Sequence, residues 1–307
     1  MIEVLWNNLS DPALFATVLR VMTPLLLAAI GILISDRAGV LNIGMEGIML
    51  SGALVGVLAS AWTGQPFIGL FAALLCGGLL GALMALAING LGTNFIITGI
   101  ALNLAAASAT TLGVFLATGD KGMSGALQSG VLPNLHIPLI RDIPVLGPLL
   151  SGHHMLTYIA ILAVPLVSIM LARTPFGLHI RAVGSDHKAA ATAGVSRNRT
   201  QLQALALSGV FGGAAGAYLS MGYVSWFAQN MTAGRGFIAI AAEVMGMGTA
   251  WGTFAAAAVL GIAETTAITM QTMGLPNELM QMIPYIVPVL VLTIYAARRQ
   301  AKTRTRS

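Results

Sequence analysis

Acidic side chains interrupt several of the apolar stretches in this sequence. Glu46, Glu243 and Glu264 lie within or at the edges of such stretches, and Arg235 precedes the stretch that contains Glu243. An ionisable group in hydrocarbon is costly unless it is paired or hydrated, so such groups mark a polar cavity or a path for a solute. Arg235 is the candidate partner for these carboxylates.

A second interpretation of the same acids is structural. Unwound backbone in a bilayer needs polar partners, and a carboxylate satisfies it or caps a helix N-terminus. Asn42 and Asn103 are weaker candidates of the same kind. The sequence leaves direct contact with a solute and support of a broken helix as open alternatives.

Other chemistries have little support. His153 and His154 are adjacent, so they are poorly placed to share a metal ion on one helical face, and no metal site is expected. The single cysteine, Cys76, lies in an apolar run and is interpreted as a packing residue. No Ser/His/Asp or Cys/His arrangement occurs in a recognisable motif. We therefore expect a protein that is not an enzyme.

The composition is that of a membrane protein. Hydrophobic residues make up 57% of the chain and charged residues 8%, against about 25% charged in soluble domains. The net charge of +5 comes largely from residues 173–201 and from the C-terminal tail, whose basic residues are Arg298, Arg299, Lys302, Arg304 and Arg306. Basic stretches beside apolar spans indicate cytoplasmic segments, which explains the charge better than nucleic-acid binding.

The hydropathy pattern predicts an all-α polytopic protein with about nine transmembrane helices. One segment is too short for a full crossing and is predicted to be broken or re-entrant. The predicted spans are residues 14–34, 43–62, 66–88, 94–117, 155–172, 202–221, 237–248, 253–271 and 280–297.

The basic segments orient these spans. With residues 173–201 and the tail inside, the N-terminus and the stretch 118–154 fall outside. The first four and last four spans then run in opposite senses, which permits an inverted repeat. We expect one membrane domain over residues 1–300, with a cytoplasmic loop at 173–201, and a basic cytoplasmic tail at 301–307.

The loop at 173–201 is predicted to carry a short helix. Ser185 can cap a helix over residues 186–193, and Gly194 can end it in the left-handed conformation. A helix so short is marginal alone, so we expect it to pack on the membrane domain and present a face to another molecule. A solvated connector is the alternative.

The run RAVGSDHKAAATAGV, residues 181–195, resembles the coupling loop of ABC-importer permeases of the ribose, branched-chain amino acid and nucleoside class. That loop reads R-A-x-G-x-N-x-x-A-A-x-x-x-G-[IV], and this chain has Asp186 where Asn is usual. SDRAGVLNIGMEG at 35–47 and GRGFIAIAAEVMGMGTAWG at 234–252 agree with the same family. The likeness is strongest to the smaller permease of guanosine-type nucleoside and simple-sugar importers.

The resemblance implies a subunit that forms a path with a second, homologous permease. It also implies a substrate-binding lipoprotein outside and an ABC ATPase in the cytoplasm. This chain has no G-x-x-x-x-G-K-[ST] phosphate loop, so ATP is expected on the ATPase and no cofactor on this chain. The coupling residues that the resemblance implies are Arg181, Gly184, Ser185, Asp186, Ala189, Ala190 and Gly194.

The predicted function is passage of nucleosides or simple sugars across the bacterial inner membrane. The alternative is an ion-coupled secondary transporter that uses the intramembrane acids as a relay. Trp226, Phe227 and Phe237 are candidates for an aromatic outer mouth, although the sequence favours anchoring at the membrane interface as their role. The candidates for the path are Asn42, Glu46, Asn103, Arg235, Glu243 and Glu264.

Overall fold

A computed structural model describes residues 12–120, 122–125, 127, 129–135, 151–222, 224–272, 282–291 and 293. Apart from turns and loops, the described residues form helices and one pair of two-residue strands, β1 (Asn134–Leu135) and β2 (His153–His154). The helices are α1 (Pro12–Arg37), α2 (Met45–Thr63), α3 (Pro66–Gly90), α4 (Phe95–Thr118), α5 (Met155–Arg173), α6 (Pro175–Ser185), α7 (His187–Thr192), α8 (Arg197–Met221), α9 (Arg235–Met245), α10 (Ala250–Thr272) and α11 (Met282–Val291).

Seven of the described helices are long and apolar enough to cross a membrane, namely α1 to α5, α8 and α10. The prediction of a polytopic all-α membrane protein is therefore confirmed. The predicted number of nine is not established by these helices, because α9 and α11 are shorter. Of the last predicted span, 280–297, the structure describes residues 282–291 and 293, and the tail at 301–307 lies outside the described residues.

Two helices form the centre of the bundle. The apolar stretches of α1 and α8 are 78% and 72% buried, whereas that of α4 is 17% buried. α8 packs on α3, α2 and α1, and α1 also packs on α10, α9 and α5. The core therefore lies around α1 and α8, and α4 is left at the periphery.

Glycines let α3 and α8 approach closely. A side chain at Gly77 would collide with the backbone of Gly209, and one at Gly81 with the backbone of Leu205. Gly213 likewise lies against the backbone of Ala73. Small residues spaced four apart are the usual device for close helix packing in membranes, and here they serve packing within one chain.

The bundle has two distinct ends. One end, which we call the basic end, carries α6, α7 and the first turn of α8. At the opposite end the loops around residues 122–135 and 224–232 join, with the Ser124 N–H donating to the Phe227 carbonyl at 2.8 Å. These two ends are where soluble partners can reach the protein.

Two helices begin inside the bundle instead of at an end. Met45, the first residue of α2, lies against Gly212 in the middle of α8. α9 begins next to this point, since Gly236 packs on Glu46, and it runs to the basic end in 11 residues, about 16 Å. The predicted short segment is therefore a half-length helix, and it begins at residue 235 and not at 237.

α8 departs most from its predicted bounds. Its span was expected to begin at residue 202, but the helix begins at Arg197. The apolar stretch does not include the basic residues Arg197 and Arg199, whereas the helix does include them in its first turn. Charged residues at the end of a span are good helix formers, so polarity alone does not mark where a helix begins.

Candidate functional site

The beginnings of α2 and α9 meet at what we call the midspan junction, formed by Glu46, Asn103, Gly234, Arg235 and Glu264. Oε1 of Glu46 accepts a hydrogen bond from the Gly234 N–H at 2.8 Å, and Oε2 accepts one from the Gly236 N–H at 2.7 Å. The donors are the N-cap residue of α9 and the second residue of its first turn, where backbone N–H groups have no helical partner. The carboxylate of Glu46 therefore caps α9 from the neighbouring helix.

Arg235 and Glu264 form an ion pair at the same junction. Nη2 of Arg235 lies 2.6 Å from Oε1 of Glu264, with side chains 23% and 13% exposed. A cavity of about 300 Å³ adjoins the pair, and Gln271 and Tyr285 also contribute to its wall. The expected partnership between Arg235 and an intramembrane acid is thus present in the geometry, with Glu264 as the acid.

Asparagines hold the segment that leads into α2. Oδ1 of Asn103 accepts from the Gly47 N–H at 2.8 Å, and its Nδ2 donates to the Ile43 carbonyl at 2.9 Å. Asn42 is fully buried, and its Nδ2 donates to Oγ of Ser208 at 2.9 Å. Asn103 therefore binds the backbone at the beginning of α2, and Asn42 binds the neighbouring helix α8.

Glu243 lies apart from the other acids. It is buried near the last turn of α9, at the basic end, close enough to Asp36 and Arg37 to interact with their charges. The path candidates therefore divide into a midspan group and one acid at the basic end.

The structure changes the predicted capping of the short helix in the loop. Ser185 is the last residue of α6, and the N-cap of α7 is Asp186. Oδ1 of Asp186 accepts from the Lys188 N–H at 2.8 Å and from the Ala189 N–H at 3.1 Å. The prediction of Ser185 as the cap was wrong because α6 continues through it, and the carboxylate that follows has the same capping ability.

The charge state of the cap follows from these contacts. The hydrogen bond from Ala189 and the one from Lys188 hold the pKa of Asp186 below its ordinary value, with a smaller contribution from His187. The carboxylate is therefore ionised throughout the neutral range, and a negative charge at a helix N-terminus is favourable.

Glycines at both sides of α7 have different roles. Gly194 has φ +80°, and nothing lies within 4 Å of where its Cβ would be. Gly184 lies against the backbone of Arg37 and Gly39, so a side chain there would collide. Arg181, Ser185, Asp186 and Ala189 are exposed, whereas Ala190 is buried. The loop thus presents most of its predicted coupling residues on an outer surface.

The aromatic candidates are not equivalent. Phe227 is 1% exposed and packs in the core of the opposite end, and its backbone N–H donates to Oγ of Ser124 at 2.8 Å. Trp226 and Phe237 have exposed rings. Phe237 lies within α9, beside the midspan junction, so of the two exposed rings only that of Trp226 belongs to the end loops.

One surface was not singled out in the sequence. α4 leaves much of its length uncovered, and a cavity of about 510 Å³ beside it is lined in part by Ser108, Thr111 and Gln229. Nε2 of Gln229 donates to Oγ1 of Thr111 at 3.3 Å. The sequence signal for this surface was the presence of small hydroxyl residues, Ser108 and Thr111, inside an apolar span. Such residues are typical of contacts between helices, whereas positions that face only lipid carry apolar side chains.

Comparison with known proteins is consistent with this arrangement. The pattern of the family described as "Branched-chain amino acid transport system / permease component" matches residues 14–292. That range includes every helix except the first residues of α1. No solved structure matches the chain.

Several curated relatives are similar over almost their full length. The guanosine ABC transporter permease protein NupQ of Bacillus subtilis is 34% identical, with 91% of this chain and 90% of the relative covered. The putative glucose ABC transporter permease protein TsgC13 of Haloferax volcanii is 32% identical, with 92% and 91% covered. The nucleoside ABC transporter permease protein NupC of Lactococcus lactis is 30% identical, with 92% of each covered.

Proposed function

This chain belongs to the family of permease components of branched-chain amino acid transport systems, and on that premise we propose that it carries nucleosides across the inner membrane. It is a multi-pass membrane permease of an ABC importer. The observation that carries the proposed substrate is the similarity to permeases named for guanosine and for nucleosides over 91% and 92% of this chain. The relative named for glucose makes simple sugars the second candidate.

In this proposal α7 is the docking helix for a cytoplasmic ATPase. Several features support that role: the helix is capped by Asp186, ended by Gly194 and mostly exposed. The helices on either side of it, α6 and α8, pack on other helices of the bundle, so a movement of α7 is transmitted to the membrane domain. The basic end is then cytoplasmic, the C-terminal tail is proposed to be cytoplasmic as well, and a substrate-binding lipoprotein delivers the solute at the opposite end.

The exposed face of α4 is the proposed contact with a second, homologous permease. On α3 the exposed stripe carries bulky apolar side chains, Phe71, Leu75, Leu79 and Leu83, which suit lipid. α4 also exposes bulky apolar side chains such as Leu104 and Leu112, but between them it exposes Ala101, Ala105 and Ser108, which allow another helix to approach closely. A path between two permeases would run beside Ser108 and Thr111.

The intramembrane acids act as supports in this proposal. Glu46 is occupied by two backbone N–H groups, and Glu264 by Arg235. An ion relay needs carboxylate oxygens that are open to the moving ion, whereas both oxygens of Glu46 accept backbone N–H groups and Oε1 of Glu264 contacts Arg235. This arrangement favours the importer over the ion-coupled secondary transporter.

Competition for uptake tests the substrate class. Cells that carry this permease with its partner permease, ATPase and lipoprotein take up labelled guanosine, and unlabelled guanosine, adenosine, uridine and ribose are added in turn. We expect nucleosides to inhibit uptake and ribose not to. Uptake of labelled ribose that no nucleoside inhibits would assign the protein to the sugar carriers instead.

A further inference from the structure

The turn after α1 contacts three other segments at the basic end. We call residues 36–39 the α1 turn. Gly39 and the carbonyl of Arg37 lie against Gly184 near the end of α6. The Ala38 carbonyl accepts a hydrogen bond from Nε2 of Gln201, in the first turns of α8, at 3.1 Å. α7 is therefore bracketed on both sides by helices that rest on the same turn.

The side chain of Arg37 connects this turn with α9. Its Nε donates to the Gly248 carbonyl at 2.6 Å, its Nη2 contacts the same oxygen, and Nη2 also approaches the Met247 carbonyl at 3.4 Å. Met247 and Gly248 both have positive φ, at 52° and 63°, in the turn that ends α9. Carbonyls at a helix C-terminus suit a cation, so the guanidinium holds the end of α9.

The opposite end of α9 is fixed as well. Glu46 caps it at the midspan junction, where its two carboxylate oxygens accept the Gly234 and Gly236 N–H groups. α9 is thus a short rigid helix held at the cytoplasmic side by Arg37 and at midspan by Glu46. A displacement of the α1 turn has a direct route to the interior of the bundle.

We propose that Arg37 is the positioning residue that passes movement of α7 to α9, and through α9 to the midspan junction. The proposal rests on the proposed function, in which α7 docks the ATPase. Arg37 itself touches neither ATP nor the solute. Its role is to make α6, α8 and α9 move together when the ATPase moves α7.

The test uses the whole importer in liposomes, with Arg37→Met and Arg37→Lys in the permease. Arg37→Met removes the donors and keeps a similar length, and Arg37→Lys keeps the charge with a different donor geometry. Arg173→Met is the matched control, because Arg173 is an exposed arginine at the same end. ATP hydrolysis is measured with and without the lipoprotein loaded with guanosine, and the ATPase retained on the purified permease is measured beside it.

We expect Arg37→Met to retain the ATPase but to lose stimulation of hydrolysis by the loaded lipoprotein, so that the stimulation ratio falls to one, and to lose uptake. Arg37→Lys should recover part of both, and Arg173→Met should behave as the wild type. If Arg37 had a purely structural role, its replacement would lower the amount of assembled importer. The importer that still assembled would then keep the wild-type stimulation ratio.

A label on α9 adds a direct reading of its movement. Cys76→Ala removes the native thiol, and Val244→Cys places a thiol on the exposed face of α9. Its rate of alkylation should change when ATP and orthovanadate are added, and Arg37→Met should abolish that change. Full stimulation and an unchanged labelling response in the Arg37 variants would overturn the proposal, and so would failure of both variants to assemble.

Failure of the proposed function gives a different result. If the wild-type permease does not retain the ATPase, or if disrupting α7 does not release it, the docking role of α7 is wrong. If α7 is needed for docking while the Arg37 variants remain fully coupled, only the role of Arg37 is wrong.

Discussion

Glu46 is bound from both sides of its carboxylate. Each oxygen accepts one backbone N–H, from Gly234 and from Gly236, so the carboxylate is used as a pair of acceptors. The amide of a glutamine at this position would have one acceptor oxygen and one NH2 group. The NH2 group would face a backbone N–H, so one of the two hydrogen bonds would be lost. Charge matters here together with shape, because a bond to an ionised acceptor contributes about 1.5–3 kcal/mol.

We therefore predict that Glu46→Gln destabilises the permease by about 2 kcal/mol, the loss of one such bond, and reduces uptake. Thermal unfolding in detergent and guanosine uptake measure the two effects. Asp120→Asn is the control, since it makes the same change in an exposed loop acid and should alter stability by less than about 0.5 kcal/mol. Wild-type stability and uptake of both Glu46→Gln and Glu46→Ala would show that the cap has no importance.

The Arg235–Glu264 pair gives a second prediction at the scale of residues. Removing one partner leaves a charge in a mostly buried place, which costs up to about 3 kcal/mol. Removing both leaves no unpaired charge. In a cycle of Arg235→Met, Glu264→Gln and the double variant, the double variant should be more stable than the sum of the single losses predicts. Additive losses in thermal unfolding would mean that the two groups do not stabilise each other.

Long-range contacts explain why the midspan junction was only partly predictable. The acids and Arg235 were recognisable as costly groups in apolar stretches. Which acid pairs with Arg235 depends on how α9 and α10 pack, and the cap on α9 comes from Glu46, on a different helix. A contact between residues so far apart in the sequence cannot be predicted from a local sequence pattern.

At the scale of elements, α7 depends on glycines that serve different purposes. Gly194 needs its left-handed backbone and has open space around it, whereas Gly184 needs space because of the carbonyl of Arg37. A residue with a Cβ in the left-handed conformation costs about 1–2 kcal/mol. A collision with backbone forces α6 away from the α1 turn.

We predict that Gly184→Ala impairs guanosine uptake more than Gly194→Ala does. Gly92→Ala is the matched control, because Gly92 also has positive φ, at 67°, and open space around its Cβ position, in the turn between α3 and α4. Retention of the ATPase on the purified permease should fall for Gly184→Ala and Gly194→Ala and stay normal for Gly92→Ala. Equal retention in all three would argue against docking at α7.

The bounds of the elements show what hydropathy can and cannot predict. α3 was predicted over residues 66–88 and extends over Pro66–Gly90, because Pro and Gly punctuate it clearly. α8 was predicted to begin at residue 202, yet it begins at Arg197, because the helix extends beyond its apolar part. The beginning of α2 inside the bundle was not predicted, since it depends on the packing of Met45 against α8.

At the scale of the whole molecule, the uneven burial of α3 and α4 indicates how two permeases would meet. We predict that Ala105→Trp on α4 reduces co-purification of the second permease, because a large side chain prevents close approach. Leu79→Trp on the exposed stripe of α3 is the control and should have no effect, since we propose that this stripe faces lipid. Co-purification of a tagged second permease from membranes measures both, and equal loss in the two variants would mean that α4 is not the contact.

The energy source of transport tests the central claim most directly. Liposomes that contain this permease with its partner permease and ATPase, and the lipoprotein outside, are filled with ATP or left empty, with or without an imposed proton or sodium gradient. We predict guanosine uptake only when ATP and the ATPase are present, and no effect of dissipating the gradients. Uptake driven by a proton or sodium gradient in liposomes without the ATPase would contradict the account and identify the chain as a secondary transporter.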